Sequence, residues 1–268
     1  IFVFSLIVPL TTLIFENLSY KKLPRVLTLK VQTASLFVNK ILPSGLGQLT
    51  LNSYYLHTEG NTKTQTASIL TTRAIASGIA LFIMLLIFLF LNLQLLISLI
   101  NEYGVLNFSF GQYFIYLLFV VVLAGLVIIF VKRNKKLKDK IVSPFILYKN
   151  ELLKYRDHPE KIAISIFLSI LIAFTGIFTI WASAKSVGVD LMFAEVIFLY
   201  YFSIFAATVI PIPGGIGTVE IGLSLAFYAL GYDPLIFISI IIIYRVINYW
   251  LPITTGFVFF LNLRKNVL

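Results

Sequence analysis

Long apolar runs separated by short polar stretches dominate the chain. Runs 66–91, 112–131, 162–184 and 234–261 each predict a spanning helix, since about 20 helical residues cross a bilayer core of about 30 Å. Two other apolar runs, 27–56 and 191–230, are broken midway, by Pro-Ser-Gly-Leu-Gly over 43–47 and Pro-Ile-Pro-Gly-Gly-Ile-Gly over 211–217. Each half is short for a span, so each pair predicts a re-entrant hairpin that enters and leaves on one side. Residues 1–15 are apolar from the start, with no initiator Met, basic start or small-residue cleavage site. They read as the remnant of a trimmed amino-terminal span, not as a signal peptide.

The charge pattern orients these elements. Lys132-Arg-Asn-Lys-Lys-Leu-Lys-Asp-Lys140, with Lys149, Lys154, Arg156 and Lys161, lies between two apolar runs. The positive-inside rule places it in the cytoplasm. Following the chain outward from it puts the mouth of the first hairpin on the cytoplasmic face, beside Lys21, Lys22, Arg25 and Lys63, and the mouth of the second outside. The carboxyl-terminal end, with Arg264 and Lys265, returns to the cytoplasm. Each half then holds a hairpin broken by Pro and Gly, followed by a long helix carrying one arginine. The separation is 26 residues from Gly47 to Arg73 and 28 from Gly217 to Arg245. The expectation is an all-α, polytopic transmembrane helix bundle with two re-entrant broken hairpins in an inverted repeat. It forms one domain over 1–268, divided into 1–131, the basic cytoplasmic loop 132–161, and 162–268.

Composition narrows the chemistry. The chain is 59% hydrophobic and 12% charged, with mean hydropathy +0.98, which excludes an ordinary soluble domain. The net charge of +10 is concentrated where topology needs it, so nucleic acid is not an expected partner. With no cysteine there is no disulfide or thiolate metal site, and His57 and His158 stand apart in polar surroundings. No Ser-His-Asp grouping, converging carboxylates or phosphate-loop lysine points to an enzyme. No metal or cofactor is expected.

The candidate binding residues gather at the breaks. Backbone broken inside a membrane survives only when buried in protein or lining a polar cavity. Pro211 and Pro213 stop the incoming helix, Gly214, Gly215 and Gly217 allow unusual backbone angles, and Glu220 falls in the first turn of the outgoing helix. Arg245 lies about 18 Å into its helix, near mid-membrane, where a cation needs a partner or a cavity. Glu220, in the same repeat unit, is its best available partner. The pair could lock the hairpin, or release Arg245 to a lipid phosphate. Asn248 follows on the same helix. In the first half Pro43, Gly47, Gln48 and Arg73 hold the corresponding places, with Arg73 equally able to snorkel to the surface. Pro252 predicts a kink.

Ile210-Pro-Ile-Pro-Gly-Gly-Ile-Gly-Thr-Val-Glu220, the Gly231 turn, Tyr244-Arg-Val-Ile-Asn-Tyr-Trp-Leu-Pro252 and Gly256 together resemble the carboxyl-terminal signature of the lysylphosphatidylglycerol synthase transmembrane region, or flippase-like domain family. Leu42-Pro-Ser-Gly-Leu-Gly-Gln48, Arg73 and Ala184-Lys-Ser-Val-Gly-Val-Asp190 fit in the expected order. The resemblance implies a multi-pass plasma-membrane protein that moves anionic, aminoacylated or polyprenyl-phosphate-linked lipids, without the soluble synthase domain. This chain departs from the family at Gly45, Gln48 and Thr72, where charged residues are usual. The alternative is a non-transporting scaffold that presents lipid to a partner glycosyl- or aminoacyl-transferase.

Overall fold

A computed structural model describes residues 2–42, 46–91, 147–209 and 212–266, and among these the chain is helical with no strand. The first elements are α1 (Phe2–Leu18), α2 (Arg25–Ile41), α3 (Leu46–Thr58) and α4 (Lys63–Leu91). A 3-10 turn, Lys154–Asp157, leads into α5 (Pro159–Ser186). Then come α6 (Phe193–Val209), a second 3-10 turn (Pro213–Gly215), α7 (Thr218–Ala229) and α8 (Pro234–Arg245). A π turn over Val246–Trp250 joins α8 to α9 (Leu251–Asn266).

Among the described residues, Lys63–Phe88, Pro159–Ser186 and Pro234–Leu263 are long and apolar enough to cross a bilayer. They correspond to predicted spans 66–91, 162–184 and 234–261. The predicted span 112–131 and the basic cluster 132–140 lie outside the described residues. The helix starts have local causes. Thr62 and Gln65 form a reciprocal capping box, Thr62 N donating to Gln65 Oε1 at 3.0 Å and Gln65 N to Thr62 Oγ1 at 3.2 Å, so α4 begins ahead of the apolar run. Pro159 and Pro234 open α5 and α8, where a missing N–H costs nothing. Asp233 caps α8 by accepting from Leu235 N at 2.8 Å.

The broken regions fold as helical hairpins. Arms α2 and α3 are tied by Gln32 Nε2 donating to Asn52 Oδ1 at 2.7 Å and by the Thr28–Tyr55 hydroxyl pair at 2.7 Å. Gly47 lies against the Val38 carbonyl, with no room for a side chain. In the second hairpin Gly222 of α7 packs against Ala206 and the Phe202 carbonyl of α6. Small residues let helix backbones approach closely, which drives association in lipid. At 17, 13, 17 and 12 residues, every arm is about 18–26 Å long, under the thickness of the core.

Hydrogen bonds identify the two ends of the bundle. At one end Tyr155 donates to Leu18 O at 2.6 Å, Tyr20 to Glu151 O at 2.9 Å and Asn17 to Lys161 O at 2.7 Å. These bonds gather the end of α1, the start of α5 and the residues just before it. Arg25, at the start of α2, pairs with Glu16 there at 2.9 Å. At the other end Glu195, opening α6, accepts from its own Met192 N at 2.8 Å and from Tyr232, after α7, at 3.1 Å. Burial, then the charge of Glu195, pushes the Tyr232 phenol up to about 12.

Two apolar clusters match these ends. Ile14, Phe15, Leu18, Val31, Tyr55, Ile69, Tyr155 and Leu263 form one. Met84, Phe88, Ile180, Val196, Leu223, Phe227, Phe237 and Ile240 belong to the other. Helix α9 crosses α2 at Gly256, where an added Cβ would lie 2.8 Å from Thr33 O and Phe37 N. Phe37 meets Phe257 and Phe260 beside this crossing, with ring centroids 5.1 and 5.6 Å apart.

Candidate functional site

The site is built on the break between α6 and α7. Ile212 is extended (φ −86°, ψ 142°), Gly214 and Gly215 turn to φ 62° and 64°, and Gly217 takes φ 82° before α7 begins. Positive φ suits glycine and strains residues with a Cβ, so the glycines let the chain reverse within a few residues. A side chain at 214 would strike the Tyr249 ring and come within 3.0 Å of Lys40 O. The break therefore touches both the π turn and the last turn of α2.

Arg245 ends α8 and is 7% exposed. Its Nε lies 2.7 Å from Glu220 Oε1, in the first turn of α7. Nη1 and Nη2 both donate to Gly214 O at 3.4 Å. The guanidinium carbon sits 4.5 Å from the Tyr249 ring centroid, a distance at which the ring face attracts a cation. Arg245 is held by a carboxylate, a carbonyl and an aromatic face. Glu220 Oε2 is buried without a hydrogen-bond partner.

Beside this cluster lies a cavity of about 240 Å³, lined by Asn39, Lys40, Ser203, Gly214, Gly215, Tyr244, Arg245 and Asn248, with Ile204, Ala207, Ile212 and Val219. Asn248 donates to the Tyr244 hydroxyl at 2.6 Å. Lys40 Nζ lies 5.7 Å from the Tyr249 ring centroid and has no ion pair among the described residues. The cavity thus presents cations from an arm of the first hairpin and from the end of α8, with amides and hydroxyls beside them.

Of the residues singled out from the sequence, Gly214, Gly215, Arg245 and Asn248 line the cavity. Glu220 joins it through Arg245, while Pro213 and Gly217 shape the loop. Pro43 and Pro211 lie outside the described residues. Gly47 packs within the first hairpin, and the Gln48 carbonyl accepts from Asn52 Nδ2 at 2.8 Å. Neither residue lines the cavity. Arg73 is elsewhere, its guanidinium carbon 5.0 Å from the Phe15 ring centroid and its Nε buried without a hydrogen-bond partner.

Pro252, where a kink is expected, is preceded by a π turn over Val246–Trp250. Proline lacks an N–H and crowds the carbonyl four residues back, here that of Asn248, and the helix widens to accommodate it. Sequence reasoning missed Lys40, Asn39, Ser203 and Tyr244. The one available signal was Lys40 itself, a charge three residues before Pro43 in an apolar run. No group of His, Cys, Asp and Glu suited to a metal occurs among the described residues.

The profile of the lysylphosphatidylglycerol synthase TM region matches residues 5–256. Among curated proteins, UPF0104 membrane protein PH1989 of Pyrococcus horikoshii is 26% identical over 136 residues, covering 51% of this chain and 41% of that protein. The matched stretch therefore spans about two fifths of that relative. No solved structure matches.

Proposed function

Because the chain belongs to the lysylphosphatidylglycerol synthase transmembrane-region family, we propose that it is a lipid flippase of the plasma membrane, not an enzyme. The observation that carries this reading is Arg245, buried about 18 Å along its helix and facing a polar cavity beside the glycine break. A guanidinium at that depth is costly unless paired or lining a cavity, and its planar fork suits phosphate oxygens. Acyl chains would remain in the bilayer.

The hairpins supply a route for alternating access. The tip of α2 touches the loop at Gly214, while the hairpin mouths adjoin the two ends of the bundle described above. An inverted repeat of two re-entrant units, with the basic end cytoplasmic, accounts for both features. Rocking one unit on the other would open the cavity to each leaflet in turn.

Head-group translocation by the purified chain in proteoliposomes tests the proposal. Movement of a phosphate-bearing lipid, lost in Arg245→Ala with folding intact, is the expected result. A folded protein that moves no lipid would overturn it and favour the scaffold reading.

A further inference from the structure

We propose that the cavity is a two-cation phosphodiester site with Lys40 as its second anchor. This rests on the transport reading above and adds a residue to its site. Lys40 comes from the last turn of α2, and Arg245 from the end of α8. Their charged groups lie 5.7 and 4.5 Å from the centroid of one ring, Tyr249, beside one cavity. Glu220 is already engaged by Arg245, whereas Lys40 has no ion pair among the described residues.

Together the three groups carry one net positive charge, and a buried charge left unpaired is expensive. A phosphodiester monoanion balances it, with oxygens enough for both the ammonium and the guanidinium. The rest of the wall supplies neutral groups, including Asn39, Ser203, Tyr244 and Asn248. Asn39 Oδ1 is buried and has no hydrogen-bond partner, leaving an acceptor for a glycerol or sugar hydroxyl.

The test uses the purified chain in proteoliposomes with tail-labelled phosphatidylglycerol. Native mass spectrometry of retained lipid runs in parallel, with and without millimolar inorganic phosphate. The parent should move phosphatidylglycerol and retain it. Lys40→Met should lose about tenfold and Lys40→Arg little, the factor expected of one charge-assisted hydrogen bond.

If Lys40→Met matches the parent while Arg245→Ala is inactive, the second anchor is wrong and the transport reading stands. Displacement of retained phosphatidylglycerol by inorganic phosphate overturns the lipid assignment in favour of a free anion. If no lipid moves, transport fails as a reading. The site then survives only if the parent retains phosphatidylglycerol and Lys40→Met does not, and absence of retained lipid overturns it.

Discussion

Arg245 and Glu220 meet at 2.7 Å across a broken loop, joining the end of one helix to the first turn of another. The arginine is nearly enclosed, whereas the glutamate side chain is 35% exposed. Breaking the pair should therefore cost about 1–3 kcal/mol, between exposed and fully buried ion pairs. Unfolding of Glu220→Gln and Arg245→Met in micelles would measure it. The double variant should lose less than the sum of the two single losses, and strict additivity would show that the contact carries no coupling.

The glycines of the break separate strain from collision. Gly217 has φ 82° and open space where a Cβ would go, whereas a Cβ at Gly214 would strike Tyr249. Gly217→Ala should cost about 1–2 kcal/mol of stability through backbone strain alone, with the head-group site intact. Gly214→Ala should also displace the ring facing Arg245 and abolish lipid translocation. Equal transport by the two variants would count against Tyr249 as part of the site.

Gly256 offers a test of packing away from the cavity. Its added methyl would press on Thr33 O and Phe37 N, backbone atoms that cannot rotate aside. Gly256→Ala should lose about 1–3 kcal/mol, typical of overpacking, as a lowered melting temperature in detergent. Thr33→Ala should not restore it, because the obstacle is main chain.

Sidedness can be read against a silent background, because the chain has no cysteine. Single cysteines at Lys22 and Val187, both exposed, should react with impermeant maleimide from opposite faces, Lys22 from the cytoplasm. Labelling of both from one face would remove the inverted arrangement.

Much of this architecture is legible in the chain because lipid imposes severe rules. Apolar length predicts α4, α5 and the α8–α9 helix to within a few residues, and local caps set the remaining offsets. Proline and glycine inside an apolar run announce the 211–217 break, and a mid-helix arginine demands a partner that only Glu220 supplies nearby. What is less legible depends on tertiary contact. Lys40 reads as an ordinary terminal lysine until α2 is brought against Gly214. Arg73 reads as the counterpart of Arg245 until the Phe15 ring of α1 is found beneath it. The π turn requires knowing how the helix relieves the strain of Pro252, which sequence periodicity does not record.

The crossing at Gly256 has a mechanical consequence. Helix α9 is wedged on α2, and the same continuous helix carries Arg245 on the far side of the π turn. A π turn is a wide coil that can take up an extra residue, and such turns frequently sit at functional positions. The first hairpin and the cavity arginine are therefore geared through five residues, Val246–Trp250. Sliding of α2 along the bundle must be absorbed in that coil or delivered to the guanidinium.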